Sequence, residues 1–537
     1  MAIKSLKGVV RLLTRRSEWR TRPVQAYKTI CGSDGMGSGA GAGTVEQWLS
    51  GGGPWAASVR VIHTHAAIVF LVGDRAFKMK RSVALGYLDF STLEARRDAL
   101  SRELLLNRRT APGFYLQLVP VTQEAQGLAL AGRGAVVEWL LEMRRFPDGS
   151  LLSERLAKGL CGDAEIERLA RSVAAFHERE RVLEGVDWPA SVARIAGENA
   201  ADLASLGQLF AAADVEAESA GCRALLEGQA RVLAAQSADV RRCHGDLHLG
   251  NVFLDGDEPT LFDCIEFNDF YACIPPLYDL SFLLMDLVDK QQRQLANRAL
   301  NAWVLQRAVS QWPDVIASLP ALGLYLALRA EIRAKVEARR PGGEASARHY
   351  LALAMGFART SPPRVVAIGG YSGTGKSTLA RALSPELGGP CGALHFRSDE
   401  IRKRLAGVPL DQRLPAGAYG PEMSARVYAT LMELAGLAAT GGMSVVVDAV
   451  FARASERDEI GAIARAAGVR FDGLWLEATP DVLRARVAGR RGDVSDADVA
   501  VLERQLGYET GAIGWRRLDV GGTAEDAARQ AFAALMA

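Results

Sequence analysis

The rhythm of hydrophobic and polar positions changes twice along this chain. Early on, apolar residues come in short runs. Ile68 to Val72 and Arg75 to Lys80 read as two strands joined by the Gly73-Asp74 turn, and Ala135 to Leu140 as a further buried strand. The spacing then lengthens to three and four: Ile166, Leu169, Val173 and Phe176 share one face of a helix that Asp163 can cap. Helical spacing stops at Thr360-Ser361-Pro362-Pro363, because proline has no amide to donate and biases its predecessor away from helix. Beyond it, apolar runs (Val365 to Ile368, Ser444 to Val447, Leu474 to Leu476) alternate with amphipathic helical stretches, the pattern of a parallel sheet covered by helices. The pattern predicts a mixed α/β and α+β chain: a small β-rich lobe, a helical lobe, then a compact α/β domain, with no internal repeat.

A length of 537 residues suggests three or four domain-sized pieces, and 49% hydrophobic with 23% charged residues is ordinary for globular chains. A net charge of +2 supplies no global field for a polyanion, so nucleic acid is allowed as a partner but not favoured. The seven cysteines are scattered and never spaced C-x-x-C, which suits free thiols in the cytoplasm and suggests neither disulfides nor zinc. No unbroken run of about 18 apolar residues stands out as a membrane span, and no secretory signal is evident. Residues 1–43 carry eight Lys or Arg against Glu18 and Asp34, then a glycine-rich run. They read as a disordered tail, with Met36 an alternative start to Met1. The expected division is a tail over 1–43, one domain over 44–360 and another over 361–537.

Two phosphate-handling signatures share the chain. Gly370-Tyr371-Ser372-Gly373-Thr374-Gly375-Lys376-Ser377 sits between a strand ending at Gly369 and a helix start, where a P-loop must sit. Glycines let the backbone N–H groups curl toward phosphates; Gly370, Gly373, Thr374, Gly375, Lys376, Ser377 and Thr378 are the candidate nucleotide contacts, Ser377 holding Mg²⁺. Asp399, in Ser398-Asp399-Glu400-Ile401-Arg402, is a candidate base for an acceptor hydroxyl, with Arg402 one turn on to steer substrate. Asp448 ends Val445-Val446-Val447 as a metal-side acid would. Arg486, Arg490 and Arg491 precede a break at Gly492, and Ser495 with Asp498 can cap the next helix; such arginines suit a lid. This half resembles the P-loop small-molecule kinases grouped with gluconate, shikimate and polynucleotide 5′-hydroxyl kinases. The resemblance implies Asp399 as general base and Arg490 or Arg491 as a lid residue, without fixing an acceptor.

Upstream, His244-Gly245-Asp246-Leu247-His248-Leu249-Gly250-Asn251 is followed by Val252 to Leu254 and by Leu261-Phe262-Asp263, the order of a kinase catalytic loop and its metal acid. Asp246 would accept the acceptor's proton, Asn251 and Asp263 would hold Mg²⁺, and His244 would brace the loop. Lys78, or Lys80 in second place, offers a charge for the α/β-phosphates, and Glu103 can pair with it. Glu138 to Met143 would be the hinge that meets adenine. No G-x-G-x-x-G precedes Lys78, and Gly245 and Gly250 argue against a helical His-x₃-His zinc site.

This assembly resembles aminoglycoside phosphotransferases and related choline-type kinases. The whole chain resembles bacterial fusions of such a domain with a P-loop kinase domain. Thr64-His65, Leu88-Asp89-Phe90, Leu106-Asn107-Arg108-Arg109, Glu142-Met143-Arg144-Arg145-Phe146 and Ile265-Glu266-Phe267-Asn268 carry the likeness. Cys264-Ile265-Glu266 departs from the usual motif, so Glu266 could share the metal role, and Pro275-Pro276 replaces a more polar stretch before Asp279. The resemblance implies a protein kinase-like bilobal fold, then a P-loop parallel-sheet domain, using ATP and Mg²⁺ on small-molecule hydroxyls. Two alternatives stand beside it. The N-terminal half could be a nucleotide-binding regulator, and the P-loop half could act on nucleic-acid ends or a nucleotide-sugar.

Overall fold

The computed structural model describes residues 42–55, 57–64, 66–85, 88–359, 361–490 and 494–536. Nearly all of the expected tail (residues 1–41), His65, Thr360, Arg491 and Gly492 lie outside the described residues. The chain divides into two units, one formed by residues up to Ser101 with Tyr115–Arg145, the other by Arg102–Phe114 and Phe146–Ala537. The proline-marked boundary near residue 360 therefore falls inside the second unit.

In the first unit six antiparallel strands follow the order Arg60–His63, Ala67–Val72, Arg75–Lys80, Ala135–Arg144, Tyr115–Glu124, Gly127–Leu130. The Gly73-Asp74 hairpin forms as expected, with Gly73 at φ +55°, a left-handed turn that a side chain resists. Alternation along Arg75–Lys80 sends Phe77 and Met79 into a core with Ile68, Phe70, Val121 and Leu140. Lys78 and Lys80 therefore leave from the opposite face, and the Lys80 ammonium lies 5.3 Å from the Phe90 ring centroid.

The stretch expected as the hinge, Glu138 to Met143, lies within a strand. These residues continue a ten-residue strand, Ala135–Arg144, and the chain passes to the second unit only at Arg145–Phe146. Glu138 is fully buried and held by Arg96, whose Nε lies 3.0 Å from both carboxylate oxygens and whose Nη2 lies 2.9 Å from Oε2. Arg96 also donates to the Phe90 carbonyl at 3.0 Å. A buried ion pair stripped of one partner leaves an uncompensated charge, so Arg96→Met is expected to cost about 3–5 kcal/mol, read from the urea midpoint. Adding Glu138→Met should recover most of the loss; a single-variant cost below about 1 kcal/mol would refute this account.

The second unit joins a helical lobe to the P-loop sheet. Helix Asp163–Arg179 buries Ile166, Leu169, Val173 and Phe176 as the spacing predicts. Its cap is Gly162, whose N–H donates to Glu165 Oε2 at 2.9 Å. Asp163, expected as the cap, is instead the first helical residue and pairs with Arg298 at 2.8 Å and Arg381 at 3.0 Å. Pro276 opens the buried helix Pro276–Asp289 at a position where an amide would have no helical partner, which accounts for Pro275-Pro276. The stretch Val309–Ala338 is long and apolar enough to cross a membrane by length and composition, but 72% of its most apolar window is buried within the fold.

Five parallel strands follow the order Leu394–Arg397, Val445–Asp448, Arg364–Gly369, Arg470–Glu477, Arg516–Asp519. Period-two alternation gives the sheet two apolar faces. Val366, Ile368 and Val446 pack with Leu379, Leu383 and Leu535 on one side. Val365, Ala367, Val445 and Val447 belong to the same continuous core as the helical lobe.

Candidate active sites

The upstream site grows from a loop whose backbone is held from beneath. Asp279, fully buried, accepts the amides of His244 at 3.1 Å and Gly245 at 2.7 Å. Arg329 donates to the Gly245 carbonyl at 3.1 Å, and Asp286 Oδ2 accepts the Leu249 amide at 2.9 Å. His244 Nδ1 accepts the Asp246 amide at 3.3 Å, which leaves Nε2 to donate to the Phe262 carbonyl at 2.9 Å. Burial pushes its pKa down, so it braces the loop as a neutral ring, as expected of it.

Around this loop stand the groups for chemistry. Asn251 Nδ2 donates to the backbone carbonyl and to Oδ2 of Asp246, both at 2.9 Å, which makes its Oδ1 the atom suited to a cation. Asp263 has φ +60°, a left-handed backbone that a non-glycine residue adopts at a cost, and it lies close enough to act electrostatically on His244. Burial alone would raise the Asp246 carboxyl. His248, with Nε2 3.5 Å from Oδ2, overrides it together with His244 and Arg333, so the carboxylate stays ionised. Asp246, Asn251 and Asp263 thus offer the hard oxygen donors and the base that Mg²⁺-dependent phosphoryl transfer requires. Glu103 and Glu266 are buried in this unit, whereas Lys78 belongs to the other.

Asp279 was not singled out from the sequence as a support, nor were the residues that hold it. His177 Nε2 lies 3.0 Å from Asp279 Oδ2, and His177 Nδ1 accepts the Trp303 indole N–H at 3.1 Å. Two buried groups of metal-type donors occur among the described residues, His177/Cys243/Asp279 and Glu218/Cys222/Glu331. In the first, the histidine and aspartate are already hydrogen-bonded to each other.

The P-loop site is built at the carboxyl ends of the parallel strands. Gly373 (φ +87°) and Gly375 (φ +83°) make the tight left-handed bends, and a Cβ on Gly373 would stand 2.9 Å from the Leu483 carbonyl. Gly375 is the cap of helix Lys376–Leu383, whose N-terminus carries Ser377 and Thr378. Gly370 donates to the Val450 carbonyl at 3.1 Å, and the Tyr371 carbonyl accepts from Thr374 Oγ1 at 2.8 Å and Lys376 Nζ at 3.0 Å. Burial pushes Lys376 down to about 8; Asp448 and Asp399 oppose the shift, while Arg490 and Arg397 add to it. Asp399, Asp448, Arg490 and Arg397 therefore lie within electrostatic reach of Lys376, and Arg397 was not singled out from the sequence.

Ser377 Oγ lies 3.2 Å from Asp448 Oδ1, so hydroxyl and carboxylate form the pair of oxygen donors that suits Mg²⁺. His395 Nε2 lies 2.7 Å from Asp448 Oδ2. Burial alone would raise the Asp448 carboxyl, but His395, Arg397 and Lys376 hold it below the usual range. Asp399 lies in the first turn of helix Ser398–Leu405. Arg402 is buried and donates to the Ala418 carbonyl at 3.0 Å and to Ser424 Oγ at 3.3 Å, tying down the segment beside Asp399 where steering of substrate was expected. The cap of helix Val499–Leu506 is Asp498, not Ser495, and Gln505 from this helix accepts the Ser372 amide at 2.7 Å. His395, Arg397 and Gln505 carry no contiguous motif.

Residues 143–314 match the phosphotransferase enzyme family and residues 365–509 match an AAA domain family. An uncharacterized protein of Mycobacterium tuberculosis is 31% identical over 502 residues, covering 88% of this chain and 95% of its own. The adenylyl-sulfate kinase of Myxococcus xanthus is 32% identical over 145 residues, 26% of this chain and 69% of that one. A solved choline/ethanolamine kinase family protein from Mesorhizobium loti is 14% identical, covering 59% of this chain and 94% of its own, with a TM-score of 0.36. This chain belongs to the family of the mycobacterial protein and is a kinase in which an aminoglycoside phosphotransferase-like domain is joined to a P-loop kinase domain.

Proposed function

We propose that the chain is a two-site kinase, each site using ATP and Mg²⁺ to move the γ-phosphoryl group onto the hydroxyl of a small molecule. The observation that carries this reading is that each site retains both a base and oxygen donors for a cation. Asp246 stands with Asn251 on one loop, and Asp399 lies within electrostatic reach of the Lys376–Ser377–Asp448 cluster. A retired regulatory site would have no use for all of them. In this reading residues 44–360 form one enzyme and residues 361–537 the other.

At the first site Asp246 would take the acceptor's proton as the acceptor oxygen attacks the γ-phosphorus and ADP leaves, and Asn251 and Asp263 would be the residues to hold Mg²⁺. At the second, Asp399 would take the proton as ADP leaves, Lys376 and the loop amides would cradle the phosphates, Ser377 and Asp448 would be the residues to hold Mg²⁺, and Arg490 would meet the phosphates. Arg402 serves that site by fixing the segment beside Asp399. The likeness of the P-loop half to an adenylyl-sulfate kinase, with Arg397 and Arg490 beside Lys376, favours an acceptor that carries its own phosphate. The described cysteines are free thiols, which fits a cytoplasmic enzyme.

The test is transfer of label from γ-labelled ATP into a metabolite extract by wild type, Asp246→Ala and Lys376→Ala, with products resolved by mass. Each substitution should erase a different product. If only Lys376→Ala mattered, the upstream half would be a regulator; if label left ATP only as free phosphate, the kinase assignment of acceptors would fail.

A further inference from the structure

Leu394–Arg397 is an edge strand of the P-loop sheet, paired with Val445–Asp448 and, among the described residues, with no strand on its other side. An edge presents peptide N–H and C=O groups that need partners. Here helix Arg293–Gln306, from the helical lobe, supplies them. Asn301 Oδ1 accepts the His395 amide at 2.7 Å, and Asn301 Nδ2 donates to the Ala393 carbonyl at 3.3 Å. One turn earlier, fully buried Asn297 donates to the Cys391 carbonyl at 2.9 Å and to the Ala393 carbonyl at 2.8 Å. A primary amide carries the same donor and acceptor as a peptide group, so Asn301 stands in for one peptide of the strand that the sheet lacks.

The residue whose amide is held this way is the one whose ring holds Asp448. We propose that Asn301 is a positioning residue of the P-loop site: it sets His395, His395 orients Asp448, and Asp448 with Ser377 forms the Mg²⁺ side of the nucleotide site. The proposal rests on the two-site reading. The same helix gives a built-in contrast, because Trp303, two residues on, supports His177 and through it Asp279 beneath the other catalytic loop. One helix of the first kinase therefore has a separate hold on each site.

The test uses the full chain carrying Asp263→Ala, so that Mg²⁺·ADP reports the P-loop site alone. ADP is titrated calorimetrically at stepped Mg²⁺ concentrations. Loss of a group that orients a metal ligand typically weakens metal affinity 10–100-fold, so Asn301→Ala should raise the Mg²⁺ concentration for half-maximal binding about tenfold. ADP affinity at saturating Mg²⁺ should stay within about twofold of the parent. Asn301→Asp, which keeps the acceptor for the His395 amide, should recover most of the effect. His395→Gln should reproduce the shift, and combining it with Asn301→Ala should add little, since both act through one carboxylate. Trp303→Phe should leave the Mg²⁺ requirement of this site unchanged. An unchanged requirement in Asn301→Ala with a lowered melting temperature would overturn the proposal, leaving a contact that only stabilises. If Asn301→Ala does not fold, His395→Gln alone decides: no Mg²⁺ shift there also overturns it. If the Asp263→Ala parent binds no Mg²⁺·ADP, the two-site reading fails and this proposal falls with it.

Discussion

Asp246→Asn is expected to slow transfer at the upstream site by about 10²–10⁴-fold, the usual contribution of a positioned general base. The replacement keeps the shape of the side chain and removes its charge and its ability to take a proton. Because Asp279, Arg329 and Asp286 hold the loop backbone independently, the loop should keep its conformation. Nucleotide affinity should therefore change little, and the loss should fall on kcat in single-turnover measurements of the product that Asp246→Ala erases. Since burial is overridden by His248, His244 and Arg333 to keep this carboxylate ionised, the wild-type rate should not fall with protonation of Asp246 anywhere near neutral pH. A loss smaller than tenfold would remove Asp246 from the role of base.

At the P-loop, Lys376→Met should lower transfer by about 10²–10³-fold, the cost typical of deleting one preorganised donor to developing charge. Its titration gives a second, independent signature. Burial pulls its pKa from the ordinary 10.5 to about 8 without nucleotide. Bound phosphates favour the charged ammonium and raise that pKa again, so binding takes up a proton above about pH 8. ADP affinity at this site should then fall as pH rises through 8, by up to about tenfold per unit. Isothermal titration in buffers of different ionisation enthalpy measures the uptake directly, and Lys376→Met should abolish it. The stability term has the opposite slope. Between about 8 and 10.5 the folded chain binds fewer protons than the unfolded one, so this lysine's penalty on folding is relieved as pH rises across that window. A pH-independent affinity would mean that Lys376 does not meet the nucleotide.

What could be read from the residues alone was what is written contiguously. The P-loop needs glycines, lysine and serine at fixed spacing on one strand-to-helix turn, and the catalytic loop needs Asp246 and Asn251 five residues apart, so both are local. The parallel sheet announced itself by β-branched runs. The supports are assembled across the chain: Arg96 and Glu138 are 42 residues apart, His177 and Asp279 102, Asn301 and His395 94. No spacing rule reaches that far. The strand read as ending at Leu140 runs on to Arg144 because a strand's end is set by when its partners stop pairing, not by its own side chains; Ala135–Arg144 keeps pairing with two neighbours past Leu140. Asp163 was read by type as a cap, but the nearness of two arginines gave it other work.

An edge strand completed by an asparagine from the helical lobe also bears on how such a chain can change over generations. Domain fusions that behave as beads on a string can be shuffled, replaced or separated at the genetic level without rebuilding either partner. Here a helix of the helical lobe carries the amides that finish the P-loop sheet, and the two share one continuous apolar core. Substitutions along Arg293–Gln306 are then answerable to two chemistries at once, and exchanging the P-loop half for a related kinase would require a replacement whose edge strand presents its peptides to Asn297 and Asn301 in the same register.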